Sequence, residues 1–335
     1  MLTNVIHRWN EILRLKSGYK ILPHFVDFHT SNLCNQHCNG CAYSDVINGS
    51  YMDASKHLRA VDMFLDLAVD AFDFAGGGEP TLIPYLGDLL KYIREKNAHY
   101  ALITNGSNLK EDIVQALLWG GTYVRISLEA SCEEDHKKYK GENVIDWTDL
   151  LCNIKNLVSM RDKSKSDLEI SIKFSVSKSL RGEEHYQRIF KIADSLNIDR
   201  VVVKCLRHEP EELSIEERTK EFGYFMKAMP KGRRYKIVDS ILPWHSIPQC
   251  WLNPLHTVMD HLGNLYICCY YYFRENDFLI GNIFEESFED IWLSPSHLDK
   301  IRRINPQSCA KVDCKFFAHH KAVDEMLKRG QVYFL

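Results

Sequence analysis

The chain has 335 residues, 45% of them hydrophobic and 26% charged, with a formal net charge of -3. That length carries one large domain and a smaller one, and the near-balanced charge argues against a nucleic acid or an anionic membrane as the principal partner. Basic runs such as KGRRYK at 231–236 then read as solvated surface.

Residues 1–24 place apolar side chains at helical spacing without the continuous apolar run of a secretion signal or a spanning helix. They read as an N-terminal helical extension of a cytoplasmic protein. Eleven cysteines in a reducing compartment are not expected as disulfides, so their grouping matters more than their number.

From residue 25 the pattern is strand, loop, helix, repeated. Strands are predicted over 24–30, 71–75, 100–105, 122–129, 168–177 and 199–207. Helical periodicity fills the gaps, for example at 57–70, 85–96 and 183–197. A repeated βα unit implies a parallel sheet, and right-handed crossovers curl it into a full or partial barrel over residues 25–235. Function in such α/β folds sits at the carboxyl ends of the strands. Four unusual loops fall there: Cys34, Cys38 and Cys41 after the first strand, Gly76-Gly77-Gly78-Glu79-Pro80 after the second, Asn105 at the third, and Ser127 with Glu129 at the fourth. The sixth strand brings Lys204, Cys205, Arg207, His208 and Glu209 to the same end.

After a polar connector at 210–235, residues 236–335 turn to short strands, aromatics and cysteines, a smaller α+β domain. Residues 256–273 read as a β-hairpin turning at Gly263, where the missing side chain permits a positive φ. Strand alternation puts Tyr266 and Cys268 on one face and Leu265, Ile267 and Cys269 on the other. Cys132 and Cys152, on predicted helices, read as small buried hydrophobes.

Three thiolates in one loop converge on a metal centre, yet a closed structural zinc or iron site takes four ligands. Three cysteines on a four-iron cluster leave one iron open for chemistry. A zinc knuckle completed by His37 is the alternative. The glycine triplet exposes backbone that a small polar ligand can approach, with Glu79 adding a carboxylate; its alternative is a tight turn.

Together these motifs resemble the radical S-adenosylmethionine (SAM) superfamily, a resemblance that implies a partial (βα)6 TIM-like barrel. The resemblance implies a [4Fe-4S] cluster on Cys34, Cys38 and Cys41, with SAM chelating the open iron and cleaved reductively to a 5′-deoxyadenosyl radical that removes a hydrogen atom from substrate. It assigns Gly77, Gly78, Glu79 and Pro80, with Gly76 beside them, to the SAM methionine amino group, and Ser127, with Glu129 nearby, to its ribose or carboxylate. Asn105 and Lys140 are further polar contacts. The family's aromatic residue before the third cysteine is Gly40 here, so Tyr43 or His37 supplies the surface for the adenine. The pattern of Cys250, Gly263, Cys268, GNIFEESFEDIW at 281–292, Cys309 and Cys314 is similar to SPASM and twitch modules. It implies an auxiliary [4Fe-4S] cluster on Cys250, Cys268, Cys309 and Cys314, with Cys269 as a substitute if the hairpin register differs. Four-cysteine zinc is the alternative.

The reaction expected is dehydrogenation or epimerisation of a small polar substrate such as a sugar or aminocyclitol. Cys205 and Cys269 are the candidate hydrogen-atom donors, and the family's electron donor is a flavodoxin or ferredoxin. Modification of a ribosomally made peptide is the runner-up, against which the 24 leading residues are short for a leader-binding domain. A non-enzymatic zinc or electron-transfer protein would leave the glycine loop and the Ser127–Glu129 turn without purpose.

Overall fold

A computed structural model of the chain describes residues 7–141, 144–206, 212–242, 249–269, 275–310, 314 and 316–328. The main elements run α1 (Trp9–Lys16), β1 (Phe25–Phe28), α2 (Ala54–Leu65), β2 (Ala71–Phe74), α3 (Leu86–Glu95), β3 (His99–Thr104), α4 (Glu111–Gly120), β4 (Gly121–Glu129) and α5 (Glu133–Lys140). They continue α6 (Trp147–Ser164), β5 (Glu169–Val176), α7 (Glu183–Leu196), β6 (Arg200–Cys205), α8 (Ile215–Ala228), β7 (Lys236–Ser240), β8 (His256–Met259) and β9 (Asn264–Tyr266). The last are β10 (Leu279–Asn282), α9 (Phe288–Leu293), α10 (Pro295–Arg302), α11 (Pro306–Ala310) and α12 (Phe317–Lys328). Two compact units result, one of Phe28–Leu58 and Ala71–Pro243, the other of Met1–Asp27, Arg59–Asp70 and Trp244–Leu335.

In the larger unit β2 to β7 lie in sequence order and every neighbouring pair is parallel. This is the partial barrel expected. The six predicted strands appear within two residues of their predicted ends. The helices follow from apolar spacing: α3 buries Leu86, Leu89, Leu90 and Ile93, and α7 buries Tyr186, Ile189, Phe190 and Ala193. Strand β5 reads as an almost continuous buried run, as a strand covered on both faces must.

The difference lies at the edge. Strand β7 pairs with β6 beyond residue 235, where the sequence suggests the first domain ends. As the terminal strand of the parallel ladder it has half-exposed residues and a polar sequence, so it lacks the apolar run that marks the others.

In the smaller unit β8, β9 and β10 form an antiparallel group in the order β10-β9-β8. The hairpin turns at Gly263, whose φ is +88°; a Cβ there would meet the Phe284 ring at 2.4 Å. The N-terminal extension belongs to this unit: Ile12 and Ile21 pack with Leu255 and Val323, and Trp292 Nε1 donates to Ile21 O at 2.8 Å. Among the described residues no helix is long and apolar enough to cross a membrane.

Candidate functional site

The three-cysteine loop leaves β1 and is closed on itself by backbone. Asn32 N donates to Ser50 O at 2.8 Å, Asn48 N and Gly49 N donate to Asn32 O, and Met52 N donates to Thr30 O. Its far side docks on the C-terminal turn of α5, where His37 N and Asn39 N donate to Lys140 O and Tyr139 O. Tyr43 N donates to Cys41 Sγ at 3.4 Å, and Cys38 packs against the buried cluster of Ala130, Tyr139, Leu180 and Leu206.

The glycine triplet turns out to serve this loop first. Gly78 N donates to Ser31 O at 2.6 Å and Glu79 N to Leu33 O at 2.7 Å, so the two loops run as a paired strap. A Cβ on Gly76 would lie 2.3 Å from His29 Nε2, one on Gly77 2.4 Å from Ser31 O, and one on Gly78 2.0 Å from Leu33 O. Gly76 and Gly77 also hold φ of +71° and +61°, which favour glycine.

Glu79 is a buried hub. Its Oε1 accepts from Thr81 N, Thr81 Oγ1 and Thr104 Oγ1 at 3.1, 2.7 and 2.6 Å, and its Oε2 accepts from Asn105 N at 2.7 Å. Burial raises its pKa, and those donors work in the opposite direction. Asn105 in turn donates from Nδ2 to Asn35 Oδ1 at 2.8 Å and accepts from Ser107, tying the third loop to the cysteine loop.

At the end of β4 sits a charged group that sequence reading only half found. Glu129, at φ +69°, pairs with Lys173 Nζ at 2.8 Å and accepts a hydrogen bond from Ser175 Oγ. Burial opposes its ionisation, but the Lys173 and Lys140 ammonium groups more than offset this and hold the carboxyl below its ordinary value. Lys140 is 2% exposed and donates to Ser127 O at 2.8 Å. Burial raises all three thiols, Cys38 to about 11, while Lys140 pulls each back down. Lys173 and Ser175 were legible only as polar breaks in the apolar run of β5.

One set of alternate residues along β4 to β6, Tyr123, Arg125, Ser127, Lys173, Val202 and Lys204, is half-buried, whereas Val124, Ile126, Leu128, Val201 and Val203 are fully buried. Register aligns Arg125 with Ser171, Ser127 with Lys173, and Ser175 with Lys204. Cys205 falls in the fully buried set. Its Sγ donates to Ile241 O at 3.5 Å and lies near the Tyr186 hydroxyl on α7, so it faces the helices and not the half-buried polar face. Its expected place as a thiol donor at the barrel mouth is therefore corrected. Arg207, His208 and Glu209 lie outside the described residues. Cys132 is half-buried at the start of α5, and Cys152 is exposed, against the expectation that both are buried. His37, considered as a zinc ligand or adenine surface, is exposed, while Tyr43 sets its ring edge on His29 at 5.3 Å.

In the smaller unit Cys250, Cys269 and Cys309 lie within electrostatic reach of Cys314. Burial raises Cys314, and the charges of Cys250, Cys269 and Cys309 raise it further; burial with Cys309 nearby takes Cys250 to about 12. Cys269, the substitute ligand of the sequence pattern, thus stands beside Cys268 as a candidate fourth member. Strand β9 ends at Tyr266, and Leu265, Tyr266 and Ile267 are all buried, so the two-residue period does not reach the cysteine pair. His320, which no motif signalled, sets its Nε2 3.8 Å from Cys250 Sγ.

Both groups supply the thiol ligands that iron-sulfur clusters take, and among the described residues no three His, Cys, Asp or Glu side chains are drawn together as they would be around a single metal ion. In the first loop Thr30 Oγ1, Ser31 Oγ and Gln36 Nε2 are buried with no hydrogen-bond partner among the described residues, leaving polar atoms for a bound group. The raised thiols of Cys34, Cys38, Cys41, Cys250 and Cys314 stay protonated until a metal displaces the proton.

The sequence matches the Radical SAM superfamily over residues 28–167 and an iron-sulfur cluster-binding domain, SPASM, over residues 250–315. It is 30% identical over 107 residues to the S-adenosylmethionine-dependent nucleotide dehydratase of Flammeovirga pacifica, covering 30% of this chain and 36% of that protein. The chain thus spans about a third of that relative's length. It is 25% identical over 301 residues to the cysteine-type anaerobic sulfatase-maturating enzyme of Clostridium novyi (strain NT), covering 79% of this chain and 77% of the relative. The crystal structure of Streptococcus suis SuiB bound to precursor peptide SuiA has the same fold, with a TM-score of 0.67 at 14% identity over 93% of this chain and 75% of that one.

Proposed function

Starting from a chain that belongs to the radical SAM superfamily and carries a C-terminal SPASM-type cluster domain, we propose an enzyme that dehydrogenates a small polar substrate. Cys34, Cys38 and Cys41 hold the first [4Fe-4S] cluster, and Cys250, Cys269, Cys309 and Cys314 hold the auxiliary one. When bound, the first cluster and SAM supply removal of a hydrogen atom from substrate, and the auxiliary cluster supplies an electron acceptor. The chain's own residues bind and orient. The Gly76–Gly78 strap fixes the cysteine loop, and Glu79 and Asn105 lock that loop to the third strand. Lys140 and Lys173 keep Glu129 ionised beside Ser127, on the side where SAM's polar groups are received. An electron donor of flavodoxin or ferredoxin type is the partner that this chemistry requires.

The observation that carries dehydrogenation over epimerisation is the position of two thiols. Cys205 faces the helix layer, and Cys269 lies within electrostatic reach of Cys314, which supports other duties for both candidate hydrogen-atom donors. The half-buried charged face of Arg125, Lys173 and Lys204 supports a polar substrate. The alignment with the sulfatase-maturating enzyme over most of both lengths favours a second reading, a peptide side chain as substrate.

Turnover in heavy water tests the reaction. Dehydrogenation yields a product two electrons poorer with no solvent deuterium at the reacting carbon, and Cys205→Ala remains active. Solvent deuterium in a redox-neutral product would establish epimerisation instead.

A further inference from the structure

His320 lies on α12, five residues beyond the matched cluster-binding segment, and its ring is 1% exposed. Two contacts define it. Trp251 N donates to Nδ1 at 3.1 Å, and Nε2 stands 3.8 Å from Cys250 Sγ. A backbone N–H has only a proton to offer, so Nδ1 is the acceptor and the proton of the neutral ring resides on Nε2. That proton is therefore directed at the sulfur.

The ring is fixed from both ends of the same short segment, since Cys250 and Trp251 are adjacent. Phe316 stands edge-on to it at 6.4 Å, and Trp251 packs with the Ile12, Leu255 and Val323 cluster. The ring is buried and cannot turn without breaking the bond from Trp251.

We propose that His320 is a positioning residue that donates an N–H···S hydrogen bond to Cys250 and thereby raises the reduction potential of the auxiliary cluster. The inference rests on the reading that Cys250 is a ligand of that cluster. The reduced cluster carries one more negative charge than the oxidised one, so a proton facing its thiolate stabilises the reduced form more. A higher potential makes the cluster a better electron acceptor, which suits dehydrogenation.

The test uses protein carrying Cys34→Ala, Cys38→Ala and Cys41→Ala, so that only the auxiliary cluster binds iron. Four irons per chain establish the underlying reading independently; loss of iron on Cys250→Ala ties that cluster to this sulfur. Potentiometric titration followed by electron paramagnetic resonance is then compared across variants. His320→Phe, which keeps ring volume and removes the donor, is expected to lower the reduced-to-oxidised ratio at fixed ambient potential about tenfold, or about 59 mV for a one-electron couple. His320→Gln, which restores a donor near the same place, recovers most of the shift. An unchanged potential in His320→Phe would overturn the proposal. Should His320→Phe fail to hold iron, the unmutated histidine answers: hyperfine spectra of the reduced cluster with 15N-labelled histidine should show a weakly coupled imidazole nitrogen and a proton that exchanges in heavy water. Absence of both, or a coupling strong enough for direct ligation, would overturn it equally.

Discussion

Gly78→Ala is the smallest change that tests how the site is assembled. The new Cβ would fall 2.0 Å from Leu33 O and 2.5 Å from its carbonyl carbon, both backbone atoms that cannot swing aside. The strap must therefore lift from the cysteine loop, breaking the bonds from Gly78 N to Ser31 O and from Glu79 N to Leu33 O. Two backbone hydrogen bonds at about 0.5–1.5 kcal/mol each, with overpacking strain of about 1–3 kcal/mol, give a loss of roughly 2–6 kcal/mol. Because the lost bonds hold the loop between Thr30 and Cys34, the first cluster should suffer more than the second. Chemical denaturation gives the stability, and iron counts after anaerobic reconstitution give the cluster. Gly223→Ala is the control: Gly223 lies within α8, nothing stands within 4 Å of its Cβ position, and alanine there should be neutral or stabilising by up to about 1 kcal/mol. A Gly78→Ala protein that unfolds and binds iron as the unmutated chain does would refute the strap.

Lys173→Met should cost about 1.5–3 kcal/mol at pH 7, the range for a hydrogen bond to a charged group. Glu129 has a folded pKa below its ordinary value, so its pairing stabilises the fold above the unfolded pKa of about 4.3 and that contribution is lost as pH falls through the folded value. Urea titrations should show the gap between the two proteins shrinking as the pH falls below the ordinary glutamate value of about 4.3 and through the lower folded value; a gap that never shrinks in acid would mean that Lys173 acts through packing. Cys269→Ser should remove the auxiliary cluster's four irons and Cys268→Ser should retain them, as read from iron content in protein lacking the first three cysteines. The reverse result would restore the alternating register of the hairpin.

Much of the architecture was written in local pattern. The βα rhythm of residues 25–206 is carried by apolar spacing that each element needs for its own burial, which is why six strands can be located from sequence. Strand β7 escaped because an edge strand with one ladder partner needs no apolar run. At the site, cysteine spacing and the glycine triplet are covalently local and legible, while the duties of the glycines are not. Their nearest atoms belong to residues 29–33, more than forty positions earlier, and only the folded chain shows that the triplet holds the cysteine loop. Cys205 illustrates the same limit. Nearness to a strand end was visible, but side-chain direction depended on strand phase, and phase placed it with Val201 and Val203. His320 had no sequence mark at all, since its meaning comes from Trp251 and Cys250 some seventy residues away.

The central claim is that one chain carries a SAM-cleaving cluster on Cys34, Cys38 and Cys41 and a second cluster on its C-terminal cysteines. Iron and 5′-deoxyadenosine measured on the same anaerobically reconstituted samples test it most directly. Two four-iron clusters require about eight irons per chain and release of 5′-deoxyadenosine under reduction, and replacing Cys34, Cys38 and Cys41 by alanine should leave about four irons and no release. A protein that takes up stoichiometric zinc, holds no iron and leaves SAM intact would contradict it.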